Sequence, residues 1–440
     1  MFETLKNAFK SKEIRVKIWI TLALILVYRI GCYIPIPTFN VAAMQQAEAF
    51  SSDFLSILNV ITGGSMQNAT LFALGVLPFI NSSIIMQLLA LVIPALEKMS
   101  KEGEEGRKKL TQITRIVAVV LAVVQAIGIV VAFKSYFIDV FSFESGADNP
   151  ILTMALTIVL LVGGSVMVMW LSERITEYGI GNGTSIIIFI GILSTAGTTM
   201  AESFKLVGNE WTYIWNIIGF ILVVVAVLTF IVFMDGAERR ITVQYSKQIK
   251  GNKMYGGQST YIPIRVNGSG VMPIIFAMAF MSIPQTIEMF VAAPTGDPAT
   301  WSFGQKFYHG FLNFFNYSSG WYAVIYFILI IAFNYFYVSM QYNPIEIANN
   351  LRQNNGGIPG IRPGKPTSDF IQRVLSKITL IGAVCLGIIA IFPILFHMAV
   401  PAMNISMGGT SILIIVSVVL ETVRTMESQM MMRHHKGFLE

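Results

Sequence analysis

Charge is what this sequence most lacks. Asp, Glu, Lys and Arg make up 12% of its 440 residues, against about 25% in an ordinary soluble domain. The few charges sit in gaps between long apolar blocks, and whole helix lengths carry none. A soluble helical protein would spread charge along one face of each helix at 3.6-residue spacing, so water is not the solvent for most of this chain. Cysteine is almost missing. Cys32 and Cys385 each lie inside an apolar block, which excludes a disulfide framework or a metal-ligand spacing. The four histidines form no useful cluster, with His434 and His435 adjacent in the tail. Neither HExxH, GxSxG nor a pair of carboxylates within an apolar block occurs, which leaves catalysis without support. A small-x-small cleavage pattern is missing after the first apolar block, which contains Tyr28 and Arg29, so that block reads as a retained span.

What is present is length. A helix needs about 20 mostly apolar residues to cross the hydrocarbon core. Ten blocks approach that: Ile18–Ile36, Leu71–Leu96, Ile113–Phe133, Leu152–Leu171, Gly183–Thr199, Ile214–Met234, Val271–Ala292, Trp321–Val338, Ile378–Phe396 and Thr410–Val423. Lys and Arg fall almost wholly in the start, the end and every second connection. Among all 30, only Arg29, Lys134, Lys205 and Lys306 fall elsewhere. Excess basic residues in short loops mark the cytoplasmic side, and ten spans return the chain to the side where it began. Both ends are therefore expected in the cytoplasm.

Two cytoplasmic connections are far longer than a turn. Asp235–Val266 is basic and rich in turn residues, and Ser339–Lys377 carries NNGGIPGIRPGKP. Long loops of this kind are either functional or plain linkers; two basic ones on one face suggest a docking platform for a cytoplasmic partner. GIRPGKPT (Gly360–Thr367) imitates a P-loop, but it has three residues between its glycines instead of four. It also lacks the strand-to-helix setting that motif requires, so no nucleotide site is read here and no cofactor is expected.

Asp53–Thr70 (DFLSILNVITGGSMQNAT) is too short and polar to span, and breaks at Gly63–Gly64. It reads either as a helical hairpin on the outer surface or as a re-entrant segment. The second implies a cavity, because non-helical backbone at membrane depth survives only inside protein or beside water. Arg29 and Glu288 stand near span ends, where snorkelling is the ordinary reading. An ion-coupled transporter would need ionisable groups near the midplane, and a selective ion channel a polar filter. A water-filled path closed by an aliphatic narrowing needs neither, since it blocks ions by dewetting. A secondary transporter is the competing class.

Six stretches, in order, resemble the SecY family: YRIGCYIPIP (Tyr28–Pro37), GVLPFINSSIIMQLL (Gly75–Leu89), EYGIGNGTSIIIFIGI (Glu177–Ile192), QSTYIPIRVNGSGVMPIIFA (Gln258–Ala277), GIPGIRPGKPT (Gly357–Thr367) and GGTSILIIV (Gly408–Val416). The resemblance implies an all-α membrane protein of about ten transmembrane helices. They would form two pseudo-symmetric inverted halves, residues 1–200 and 201–440, closing like a clamshell around a central pore. It implies a plug within about 53–70, including Leu55, Leu58, Ile61, Gly63 and Gly64. The family's aliphatic pore ring maps to Ile80, Ile84, Ile188, Ile275 and Ile414. Its lateral gate, between spans two and three and spans seven and eight, maps to Gln87, Gln125 and Asn267. Polar contacts between such helices contribute about 0.6–2 kcal/mol each. Pro273 and Pro284 would kink the seventh span. Docking residues are expected at Arg240, Lys250 and Arg362. The implied partners are SecE-like and SecG-like small membrane subunits, the SecA motor ATPase, the ribosome, secretory preproteins with their signal sequences, and membrane lipid. The implied location is a bacterial plasma membrane.

Overall fold

Hydrocarbon offers a backbone no hydrogen-bond partner, so apolar blocks fold as helices that satisfy their own amides. The computed structural model describes residues 11–45, 59–138, 150–207, 212–245, 248–250, 253–255, 259–288, 290–291, 302–316, 319–399 and 409–434. Its first half holds α1 (Lys12–Gly31), the short α2 (Val41–Gln45), α3 (Leu77–Val92), α4 (Pro94–Lys101), α5 (Glu104–Ala132), α6 (Pro150–Tyr178) and α7 (Gly183–Val207). The second half holds α8 (Thr212–Gly236), α9 (Met272–Glu288), α10 (Phe303–Phe314), α11 (Gly320–Gln341), α12 (Pro344–Gln353), α13 (Lys365–Ala399) and α14 (Gly409–His434). Among the described residues, four helical stretches are long and apolar enough to cross a membrane, in α5, α6, α11 and α13. The bent pair α3–α4 makes a fifth, and α7, α8 and α9 contain shorter apolar stretches. This is a multi-pass helical membrane protein.

Proline sets several boundaries that apolar length alone misplaces. The block Leu71–Leu96 is not one helix. Residues 71–76 are turns, α3 starts with Pro78 in its first turn, and the chain bends by 106° between Leu77–Ala90 and Pro94–Ser100. Ile93 is extended (φ −98°, ψ 112°) because the ring of a following proline disfavours helical backbone. Pro273 does not kink α9 either: it lies in the first turn, where a missing N–H costs nothing. Pro284 is inside that helix. The first block stops at Gly31 rather than Ile36, before Pro35 and Pro37. At the other end of the chain, α13 and α14 outrun their apolar blocks, from Lys365 and to His434 respectively.

The two long connections are not irregular loops. In the first, β1 (Glu238–Tyr245) and β4 (Ser259–Arg265) pair antiparallel, with Ile241 opposite Ile262. A small hairpin of β2 (Gln248–Lys250) and β3 (Lys253–Tyr255) lies between them in sequence. The second connection contributes β5 (Gly356–Gly357), which pairs with the free edge of β1 through Gln244↔Gly357 and Tyr245↔Gly356. It also contributes α12, started by Asn343, whose side-chain oxygen accepts from Ile345 and Glu346 ahead of Pro344. Alternation along β1 buries Ile241 and Val243 while Thr242 and Gln244 stay exposed. These side chains join Ile264, Leu351, Ile358, Ile371 and Leu375 in one apolar core. The two connections are a single folded unit, seated on the ends of α11 and α13.

A second, larger apolar cluster draws on α1, α3, α6, α7, α8, α9, α11, α13 and α14. Within the first half, Ala118, Ala122 and Ala126 make a buried stripe on α5, and α5 packs on α3 and α6. Small side chains at four-residue spacing allow such close approach between membrane helices. Val243→Asp would place an unpartnered carboxylate in the core under the sheet, at a cost of about 3 kcal/mol or more. Limited trypsin digestion should then cut the Glu238–Arg265 region much faster, with helical content unchanged by circular dichroism.

Candidate functional site

Five isoleucines meet in the larger cluster. Ile80 and Ile84 come from α3, Ile188 from α7, Ile275 from α9 and Ile414 from α14. Each is at most 8% exposed. The two on α3 share a face because they are one turn apart, while Ile85 and Leu89 on the other side of that helix are more than a third exposed. None of the five therefore has its side chain turned out toward lipid. They bear no polar atom, so this centre cannot coordinate an ion or hold a solute by hydrogen bonds. Among the described residues there is also no group of three or more His, Cys, Asp or Glu that could hold a metal. Both cysteines are free.

Against this cluster lies the described part of the 53–70 segment; Leu55 and Leu58 fall outside the described residues. From Thr62 to Val76 the backbone is turns rather than helix, and Thr62, Ser65, Met66, Ala69 and Thr70 are buried. From Thr62 on, this segment is not a helical hairpin on the surface. Its polar backbone is satisfied internally, through Ile36 N to Ala69 O and Leu71 N to Ile34 O, both 2.9 Å. The Asn59 side chain bonds Gln67 through two contacts of 3.0 Å. Gly63 and Gly64 take left-handed φ values of +70° and +83°, where a side chain would be strained. Ile61 packs against the isoleucine cluster, and its carbonyl oxygen lies so near α7 that a Cβ on Gly191 would come within 2.3 Å of it. Arg29 does not snorkel. It is half-buried, donates to Ser194 Oγ on α7 and to Tyr33 Oη (3.2 Å), and its other terminal nitrogen lies beside Gly63. Glu288 closes α9 in an exposed position.

α3 packs against α5 on one side and α9 on the other. The three amides assigned to this seam do not hydrogen-bond one another. Gln87 donates to Ser83 Oγ on its own helix (3.1 Å), the partner offered by a serine one turn earlier. Gln125 is half-buried on α5. Asn267 points instead to Asp235, donating to its Oδ1 at 2.9 Å.

On the folded unit at the helix ends, Arg362 is exposed in the tip that follows the buried Ile358. Its carbonyl accepts from Thr367 Oγ1 at 2.8 Å, closing the turn into α13. Arg240 is exposed on β1, but its Nε donates to Glu238 (2.7 Å) and its guanidinium lies 4.8 Å from the centre of the Tyr261 ring. Part of its charge is thereby balanced. Lys250 lies in β2, with its side chain outside the described residues.

A family model described as SecY matches residues 70–423. The chain belongs to the SecY family. It is 40% identical to the protein translocase subunit SecY of Mycobacterium tuberculosis and 39% identical to that of Bacillus subtilis, in each case over the whole length of both chains. Two solved structures share its fold. One is a protein-conducting channel, at a TM-score of 0.62 and 20% identity, covering 94% of this chain and 92% of that one. The other is the channel of the canine ribosome-channel complex from the endoplasmic reticulum, at 0.60 and 18%, with the same coverage.

Two buried polar junctions in this SecY-family chain escape a reading by motif. Asp235, 5% exposed at the end of α8, pairs with Arg424 of α14 at 3.0 Å, and Arg424 also donates to the Asp235 carbonyl. With Asn267 on the same carboxylate, α8, α14 and the turn leading into α9 meet at one point. Nearby, Ser269 donates to Asn334 of α11, which in turn donates to the Thr379 carbonyl of α13 (3.2 Å). The available signal was positional: Asp235 and Arg424 each follow directly on an apolar block. Arg424→Gln should leave the Asp235 carboxylate without its cation and cost about 3–5 kcal/mol, read as a fall in melting temperature in detergent. The double variant with Asp235→Asn should recover much of the loss; a double variant whose loss equals the sum of the two single losses would mean the pair is not coupled. A separate outcome is expected at the segment beside α7. Gly191→Val should push Ile61 away and raise resting ion conductance in planar bilayers, whereas Gly197→Val, with open space at its Cβ, should leave it unchanged.

Proposed function

We propose that this chain is the pore-forming subunit of a protein-conducting channel. Unfolded secretory polypeptide would pass between Ile80, Ile84, Ile188, Ile275 and Ile414. The observation that carries the reading is their common burial in one apolar cluster, drawn from helices of both halves, with Ile61 packed against it. Aliphatic side chains part around an extended chain and close again without gripping any sequence, and when closed they exclude ions by dewetting. The family membership favours this over an ion-coupled transporter, which would need ionisable groups at the membrane midplane. In the same reading, ten spans form two halves, 1–200 and 201–440. Apolar signal sequences and membrane segments would leave sideways, between α3–α5 and α9–α11, with Gln87 and Gln125 as the gate's polar groups, since Asn267 is engaged by Asp235.

The basic ends and connections would face the cytoplasm of a bacterium, with the channel in its plasma membrane. The sheet β4-β1-β5 and the Arg362 tip would dock the ribosome or a SecA-type motor ATPase. Exposed positive charge steers acidic partners at long range. The motor supplies the energy, and small SecE-like and SecG-like membrane subunits complete the assembly.

The deciding experiment is a disulfide crosslink between Ile84→Cys and a single cysteine in a stalled preprotein, with Cys32 and Cys385 changed to Ser. A crosslink that requires the stalled chain supports the pore. Active translocation without a crosslink would mean the isoleucines are not the path. Two variants extend the test. Ile84→Gly should raise ion leak through the resting channel. Arg362→Glu should abolish preprotein translocation while leaving insertion of the channel itself intact; normal translocation would count against the docking role.

A further inference from the structure

The connection between α9 and α11 contains a helix with no buried residue, α10. α9 leaves the cytoplasmic sheet directly, and its 17 residues rise about 26 Å, so α10 lies at the opposite face of the membrane. It is a true helix with a defined start, since the Gln305 side chain reaches back to accept from the Ser302 backbone N–H at 2.9 Å. It is also fastened at its middle and at its C-terminal end. Tyr308 Oη donates to the Val291 carbonyl beyond α9 at 2.6 Å, and Phe314 stacks on Trp321 of α11 with ring centres 5.6 Å apart.

The helix has three faces. Tyr308, Phe311 and Leu312 are half-buried toward the protein. Phe303, Phe307 and Phe314 are 86%, 70% and 40% exposed, and at 100° per residue they fall within an arc of about 40°. Gln305, Lys306, His309 and Asn313 occupy the remaining arc. Three phenyl rings along one face, next to a polar flank, are costly in water but suit the boundary between headgroups and acyl chains. The phenyl face also continues the outward apolar stripes of its neighbours. On α11 these are Trp321, Val324 and Ile328, and on α9 Phe280, Ile283 and Ile287, all more than 40% exposed. Those stripes sit at the hydrocarbon, and Trp321 is of the type that anchors a helix at the interface.

We infer that α10 is an interfacial membrane helix whose partner is the lipid monolayer on the face opposite the sheet. It inserts Phe303, Phe307 and Phe314, keeps Lys306 in the headgroup layer, and fixes the depth of the adjoining ends of α9 and α11. This requires only that the chain spans a membrane, so it stands or falls apart from the pore reading.

The test uses the full chain with Cys385→Ser, which leaves the buried Cys32 as the one native thiol. Nitroxide labels are placed at Phe307→Cys and, separately, at Lys306→Cys. Each protein is reconstituted alone in vesicles of phosphatidylcholine and phosphatidylglycerol, and a parent with only Cys385→Ser measures background labelling. Power saturation compares collisions with dissolved oxygen, which concentrates in lipid, and with a nickel chelate, which stays in water. The oxygen-to-nickel ratio should be several-fold higher at position 307 than at 306. Equal ratios, or a higher one at 306, would overturn the proposal and leave the phenyl face for a protein partner. Both positions are exposed, and an unchanged circular dichroism spectrum confirms that the fold is intact.

Discussion

A backbone amide in hydrocarbon must find its partner within the protein, and most of this architecture follows from that constraint. It turns the apolar blocks into helices, and it puts the sheet beyond the helix ends, where exposed strand edges meet water. It also governs the exception. The turns from Thr62 to Val76 are tolerable because they are enclosed by α1, α7 and neighbouring chain, with their amides bonded to the Ile34–Ile36 stretch and to one another. Non-helical backbone of this kind needs protein around it, and Ile61 packs it against the isoleucine cluster.

Polar side chains inside such a structure obey a related rule. They are few, and most sit where several helices meet. Asp235, Arg424 and Asn267 join three chain segments at one carboxylate, and Ser269, Asn334 and the Thr379 carbonyl join three more. Both junctions flank the turn that begins α9. In a medium where apolar packing between helices is only slightly preferred to packing against lipid, hydrogen bonds of this kind help choose which helix faces meet.

Much of this was legible in the residues. Apolar length reveals a multi-pass helical membrane protein, and six ordered motifs reveal the family. Motif position also placed five isoleucines from four helices that now share one cluster, although no local signal separates Ile84 from the outward-facing Ile85. Other features were not legible, for identifiable reasons. A hydropathy window averages over Pro94 and over the turns before Pro78, so it merges a bent, interrupted element into one span. The pairing of Tyr245 with Gly356 joins residues more than a hundred positions apart through main-chain atoms, which leave no trace in side-chain pattern. An amide's partner is likewise invisible in sequence: Asn267 reads as a bridge across the seam, yet a carboxylate 32 residues earlier takes its donor.

The junction between the two long connections consists of backbone pairing at β5 and an apolar core beneath it; neither uses the charged side chains on its surface. Shape and surface chemistry are therefore separable here. The residues at the tip and along the exposed face of β1 are free to vary in charge and size while the scaffold beneath them keeps its form. A scaffold of that kind lets a lineage rewrite this surface in single steps, without passing through a misfolded intermediate.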